Sequence, residues 1–294
     1  MDTTVINQTV YKELVEKAKE TKNVAIFVDF DNIYYSMKSY AIDITAQEYN
    51  ICKLLNEVYG MKKIRTFRAY ADFDQVGVKM KELQEQRVQI RNVYGNGKEE
   101  KYRKNASDIE LSIDVLESYY RDKDIDTYVI VTADSDMIPI MSRMMYKGKD
   151  VHLFYTKENV SQVQHIETYC DYACDVLELY NVDKSKSEPK YWIEDIKNMM
   201  IEWYANPLNN GKIYGFKWLS SDASKKFNLS AQLISDVINE MTNLGIIKPD
   251  KIGDSNGYVV VEDATQTDSK DNVEDKKENA DVNKKNVDTE VEEW

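Results

Sequence analysis

Short unbroken apolar runs alternate with stretches of helical periodicity along the first 180 or so residues. Residues 8–21 place Val10, Leu14, Val15 and Ala18 on one face, which predicts an amphipathic helix. Val24–Val28 is a continuous apolar run of strand length that ends at Asp29. Ile51, Leu54, Leu55 and Val58 mark a helix ending at Gly60, and Ile64–Ala71 reads as a strand. A helix near Val78–Gln86 and a strand at Gln89–Tyr94 follow. Ser107 to Glu110 has the capping-box spacing, and Ile109, Ile113 and Leu116 share a face of the helix it would open. Tyr128–Thr132 is another buried strand, leading to a helix from about Met137 to Lys147 that Gly148 closes. Val151–Tyr155 is the next strand, and Val176–Tyr180 is expected to be a further one.

Strands alternating with helices require crossover connections, hence a mostly parallel sheet covered by helices. Continuous rather than alternating apolar strands fit burial on both faces. The expected class is α/β, with a mostly parallel central sheet over residues 23–182 and a helical extension over 1–22. A polar linker at 183–190 separates this from residues 191–262, where helices near 191–205, 217–226 and 230–244 precede extended, glycine-containing segments at 246–261. Three helices and a β-hairpin is the winged-helix order. Residues 263–294 are charged and poor in large apolar side chains, the composition of a disordered acidic tail.

Charge changes this picture only locally. The chain carries a net −13, which disfavours indiscriminate nucleic-acid binding. The tail from Asp263 holds eleven Asp and Glu against five Lys, whereas Lys62 to Lys104 holds twelve Lys and Arg against six acids. An acidic protein of this kind can still bind RNA through one basic face. Lys98, Lys101, Arg103 and Lys104 cluster beside a Gly95-Asn-Gly97 loop, where they could hold a phosphate backbone. Tyr34 and Tyr35 could stack bases or pack against the helix rim. Cys52, Cys170 and Cys174 have no disulfide-framework spacing, and no stretch has the length and apolarity of a membrane span, so a cytoplasmic location without membrane contact is expected. His165 with Cys170 and Cys174 lacks a fourth zinc ligand and reads as packing.

Open parallel sheets place their sites at the carboxyl ends of the strands. Asp29 and Asp31, with Asn32 next, follow Val24–Val28, and Asp134 and Asp136 follow Tyr128–Thr132. Asp108 sits in the first turn of a crossover helix that begins near the same edge. Leu111 and Val115, at helical spacing from Asp108, are apolar, so that carboxylate should point inward. Each acid alone could be an N-cap or a dipole-compensating charge. Together they would repel unless a divalent cation neutralised them, and oxygen-only ligation suits Mg²⁺ or Mn²⁺. The expected metal-holding group is Asp29, Asp108, Asp134 and Asp136, with Asn32 orienting substrate or a ligated water. Asp31 and Asp114 are second-tier candidates.

These residues resemble the NYN domain family. Val24 through Asp29-Phe-Asp31-Asn32 is similar to its opening strand, Lys104-Asn-Ala-Ser-Asp108 through Asp114 to its acidic helix start, and Val129 through Ala133-Asp134-Ser-Asp136 to its second acidic segment. Asp150 to Phe154 and Ala173 to Leu177 resemble the closing strands. Asn105, Ala106 and Ala133 depart from the family pattern, but every acidic position is filled. The resemblance implies a PIN-like three-layer α/β/α fold and Mg²⁺- or Mn²⁺-dependent cleavage of nucleic acid, usually RNA.

Two rivals differ in class. Asp29-Phe-Asp31 also resembles the nucleophile motif of haloacid-dehalogenase-type phosphatases, but Ile33 stands where that family has Thr or Val, and Asp108 would be idle. The other is a non-catalytic RNA-binding or regulatory protein that uses its winged-helix module. In that module the expected recognition helix, Ser230–Leu244, has Asp236 and Glu240 and no Lys or Arg, so a protein-contact or RNA-end-binding role is at least as apt as DNA binding. The helix at 8–21 and the apolar-rich module are each compatible with a homodimer.

Overall fold

Val24 to Val28 alternate between two cores, and that single strand sets the layers of the molecule. In the computed structural model, which describes residues 5–76, 80–93, 106–160 and 163–261, Val24, Ile26 and Val28 face one apolar cluster. Ala25 and Phe27 face another on the opposite side of the sheet. A helix α1 (Gln8–Glu20) precedes this strand, β1 (Val24–Asp29), and is capped by the Asn7 side chain. Then come α2 (Phe30–Lys38), α3 (Ile51–Tyr59), β2 (Ile64–Ala71), α4 (Phe73–Val76), α5 (Met80–Glu85) and β3 (Gln89–Asn92). The second half adds α6 (Ala106–Arg121), β4 (Thr127–Val131), α7 (Ile138–Tyr146), β5 (Asp150–Tyr155), β6 (Tyr172–Asp175) and α8 (Val176–Leu179).

The six strands pair in the order β3-β2-β1-β4-β5-β6, every pair parallel. Leu14 and Ala18 of α1, Ile33 and Met37 of α2, Leu54 and Leu55 of α3, and the apolar side chains of α8 cover one face. Leu111 and Val115 of α6 and Ile140, Met141 and Met144 of α7 cover the other. This is the expected α/β/α sandwich. The order reverses between β1 and β4, the place where an open parallel sheet splays its carboxyl-end loops and leaves a crevice.

Two local expectations need correction. The strand expected at Val176–Tyr180 is the helical turn α8, and the last strand is Tyr172–Asp175 just before it. The Asp175 carboxylate accepts the Leu177 N–H at 3.1 Å and caps that turn. A short run buried all round reads equally as strand or helix, so periodicity could not decide it. The capping box at Ser107–Glu110 does not form either: the helix starts at Ala106, one residue earlier, so Ser107 lies inside its first turn. Ile109 and Ile113 do share a face with Leu116, but that face is turned outward, with the two isoleucines 58% and 56% exposed.

Residues 183–192 hold two 3-10 turns, Lys184–Ser187 and Pro189–Trp192, and the Trp192 indole N–H donates to the Lys186 carbonyl at 2.7 Å. Next are α9 (Ile193–Ala205), α10 (Phe216–Phe227), α11 (Ala231–Asn243) and an antiparallel hairpin of β7 (Ile247–Ile252) and β8 (Ser255–Val260), in the anticipated order. They enclose a third core of Trp192, Ile196, Met200, Leu219, Ile234 and Val237, with Trp203 stacked on Tyr214 at 4.4 Å. Gly257 is required there, because a Cβ would meet the Tyr214 carbonyl oxygen at 2.6 Å. Ala41, in the turn after α2, also packs on this third core, and Met1–Val260 groups as one compact unit. The acidic tail expected at 263–294 lies outside the described residues.

Candidate functional site

The carboxyl ends of β1 and β4 lie side by side, since Val28 pairs with Val131. The chain turns directly into α2 after β1, and into a 3-10 turn three residues after β4. Asp29 ends β1 and caps α2, its Oδ1 accepting the Asn32 N–H at 3.4 Å. Asp134 caps the 3-10 turn Ser135–Met137, its Oδ1 accepting the Asp136 N–H at 2.9 Å. The two ends are stitched together. Asn32 Oδ1 accepts the Ala133 N–H at 2.7 Å. Thr132, fully buried, donates its hydroxyl to Asp29 Oδ2 at 3.1 Å and accepts the Asp134 N–H at 3.0 Å. Asp31 Oδ2 accepts the Asp72 N–H at 3.0 Å just past β2, so one carboxylate joins the ends of β1 and β2. The Ser107 hydroxyl interacts with Asp31 as well, which brings the start of α6 to the same rim.

Electrostatics places Asp108 in this group. Burial raises the Asp29 carboxyl well above its usual range, and the Asp108 charge raises it further. Burial, then the charges of Asp134, Asp136 and Asp31, push Asp108 up to about 6, against the lowering effect of a side-chain hydrogen bond with Asp29. Burial and the neighbouring charges thus oppose ionising both carboxyls at once. Like charge held in a low-dielectric edge is the arrangement a cation would relieve. Oxygen donors alone fit a hard divalent ion in kind. Among the described residues, however, no three or more His, Cys, Asp or Glu side chains converge to hold a metal ion. Oxygens of Asp29 and Asp134 are already engaged by the Thr132 hydroxyl and by the Asn32 and Asp136 N–H groups.

The other sequence candidates separate by location. Asp114 is not on this rim: it lies on α6 beneath the sheet edge, where Tyr70 donates its hydroxyl at 2.6 Å and the guanidiniums of Arg68 and Arg91 approach to 2.9 and 3.2 Å. Arg68 is therefore buried structure rather than a phosphate contact. Lys63 Nζ donates to the Ala18 carbonyl and Arg65 Nε to Asn23 Oδ1, which engages two more cations of that basic stretch. Tyr34 is half-buried on the core, edge-on to Tyr35 at 5.2 Å, while Tyr35 is exposed. Lys98, Lys101, Arg103 and Lys104 lie outside the described residues. His165 faces Glu167 at 3.5 Å, and Cys170 and Cys174 are free thiols, the latter buried.

Sequence reasoning missed Thr132 and Ser107. Thr132 reads simply as the last residue of a β-branched strand, and Ser107 as a cap. Their roles depend on which loops lie opposite, which no local pattern reports. A shallow groove of about 280 Å³ continues outward from the acids, lined by Asp108, Ile109, Ser112, Ile113, Leu116 and Asp136.

A family model described as NYN domain matches residues 23–178, a span that contains every acid of the rim. No curated protein matches the chain. Among solved structures, a protein of unknown function from Vibrio parahaemolyticus is similar at 18% identity and a TM-score of 0.41, over 53% of this chain and 93% of that one. Among the described residues, no helix is long and apolar enough to cross a membrane.

Proposed function

The chain belongs to the NYN domain family, a family of PIN-like nucleases, and from that premise we propose that it hydrolyses phosphodiester bonds, with RNA as the preferred polymer. The observation that carries the reading is that the charges of Asp29, Asp108, Asp134 and Asp136, from three separate elements at one edge of a parallel sheet, act on one another. Asp29, Asp108, Asp134 and Asp136 would hold a Mg²⁺ or Mn²⁺ ion. When bound, that ion supplies Lewis-acid polarisation of a phosphoryl oxygen and lowers the pKa of a water.

The chain's own residues do the rest. Thr132 fixes the direction of the Asp29 carboxyl and ties it to Asp134. Asn32 spends its Oδ1 on Ala133, which fixes its Nδ2 as a donor of set direction for a substrate or solvent oxygen. Asp31 keeps the ends of β1 and β2 in register with the start of α6. Lys98, Lys101, Arg103 and Lys104 immediately precede α6 in the chain and are assigned to the phosphate backbone.

The test is incubation of the purified protein with end-labelled single-stranded RNA and DNA in Mg²⁺, Mn²⁺ or EDTA, beside an Asp108→Asn/Asp134→Asn variant. Cleavage should need the metal, favour RNA, and fall by at least about 10²-fold in the variant, the scale of removing charge-stabilising groups from a site. Equal cleavage by the variant would remove the assigned site. That no three His, Cys, Asp or Glu side chains converge among the described residues favours one other reading, a non-catalytic RNA-binding protein. RNA binding indifferent to EDTA, with no cleavage in any metal, would establish that instead.

A further inference from the structure

A second groove, of about 660 Å³, lies between the far end of α2 and the helices α10 and α11. Lys38 and Tyr35 reach it from α2. Lys217, Ser221 and Ser224 reach it from α10, at the i, i+4, i+7 spacing that puts them on one helix face. Gln232 closes it from the opening turn of α11. In a chain with 52 Asp and Glu against 39 Lys and Arg, this lining has two lysines and no carboxylate. Neither lysine has an ion-pair partner among the described residues; Lys38 Nζ stands 5.5 Å from the Tyr34 ring centroid. Ammonium groups and hydroxyls, with a helix start adding its positive dipole end, are the chemistry that takes phosphate oxygens.

We propose that this groove binds the phosphate backbone of the nucleic acid whose neighbouring segment occupies the acidic rim, so that the C-terminal helices take part in substrate binding. The inference rests on the nuclease reading for the identity of the substrate. Its geometry comes from α2, which starts at the rim with Asp29 as its cap and ends at Lys38. Nine residues at about 1.5 Å per residue put the groove roughly 13 Å from the rim along that helix. Tyr34 and Tyr35 lie on α2 between the two places, with Tyr35 exposed and lining the groove. The winged-helix-order module thus acts through α10 and the start of α11, not through a recognition helix, which agrees with the lack of Lys and Arg on α11.

Fluorescence anisotropy in EDTA, with labelled single-stranded RNA of about 16 nucleotides and with a dinucleotide, tests this without relying on cleavage. A Lys38→Gln/Lys217→Gln variant should bind the long strand about tenfold more weakly near 0.15 M salt. Its log–log salt slope should shrink by about 1.4, that is, about 0.7 for each of two single-strand phosphates that the variant no longer neutralises. The dinucleotide, too short to span both places, should lose nothing. The Asp108→Asn/Asp134→Asn variant should keep the lysine-dependent part, so a failed nuclease reading leaves a distinct signature. An unchanged affinity and slope in the lysine variant overturns the proposal, as does failure of the wild type to bind the strand. Lysine-dependent binding of pyrophosphate without lysine-dependent binding of RNA also overturns it and marks a small-anion site.

Discussion

Thr132 is one hydroxyl with two obligations, and its loss would be felt at both. Its O–H satisfies a buried oxygen of Asp29, and its oxygen receives the Asp134 N–H. Thr132→Val keeps the shape and deletes both bonds, which should cost about 1–3 kcal/mol, the range for leaving buried polar groups unpaired. Urea unfolding at neutral pH measures it, and a cost near zero would mean the rim does not depend on this residue. His152 offers a separate reading by pH. Its ring is buried against Tyr59 and Tyr172, and Nδ1 shares a hydrogen bond with the Tyr59 hydroxyl at 2.8 Å. Burial lowers its pKa from 6.5 to about 4, despite Asp171 and Glu20 nearby pulling the other way and with Lys17 adding to the fall. A histidine depressed in the folded state stabilises the fold fully above the unfolded pKa, and loses that contribution as pH drops toward the folded one. Stability should therefore decline by up to ~3 kcal/mol between pH 6.5 and about 4. His152→Gln should flatten that part of the urea-midpoint profile. A profile identical to wild type would show that other groups set it.

At the scale of elements, the placement of α6 decides whether Asp108 reaches the rim. Leu111 and Val115 seat the helix on the sheet, and Asp114 clamps it to β2 and β3 through Tyr70, Arg68 and Arg91. The Arg68 guanidinium and the Asp114 carboxylate are both about 5–7% exposed, so removing one partner strands the other charge. Asp114→Asn should cost about 3–5 kcal/mol, whereas Arg68→Met with Asp114→Leu should recover most of it. A double variant as unstable as the single one would contradict this account of α6. The same helix shows the limit of pattern reading. Ile109, Ile113 and Leu116 have core-like spacing, yet Leu111 and Val115 are the fully buried pair, Leu116 packs only at the core's margin and the two isoleucines are exposed, because the register of a helix against its sheet is set by the partner surface. The α8 turn is the parallel case, where the Asp175 cap and the end of β5–β6 pairing, not the apolar run, fix the backbone.

For the whole molecule, the acidic rim holds like charges together at the expense of stability. Asp108→Asn removes a buried like charge and should stabilise the fold in EDTA by about 1 kcal/mol or more. Wild type should instead gain about 2.7 kcal/mol when Mg²⁺ stands at 100 times its dissociation constant, a gain the variant largely lacks. Thermal melts of both proteins with and without Mg²⁺ decide it, and a wild type indifferent to Mg²⁺ and Mn²⁺ would remove the ion from the proposed function. By itself the sequence determined the α/β class, the positions of most strands and helices, and the three acidic segments. It could do so because strands buried on both faces must be continuously apolar and because sites of parallel sheets follow their strands. Only the tertiary structure decided that Asn32 and Thr132 stitch two strand ends, that Asp114 and Arg68 are a clamp rather than a site, and that Lys38 and Lys217 share a groove. Each of those brings together residues about 45 to 180 positions apart in the chain. Local periodicity records which face a residue takes on its own element, but the identity of the residue opposite is fixed only when the elements pack.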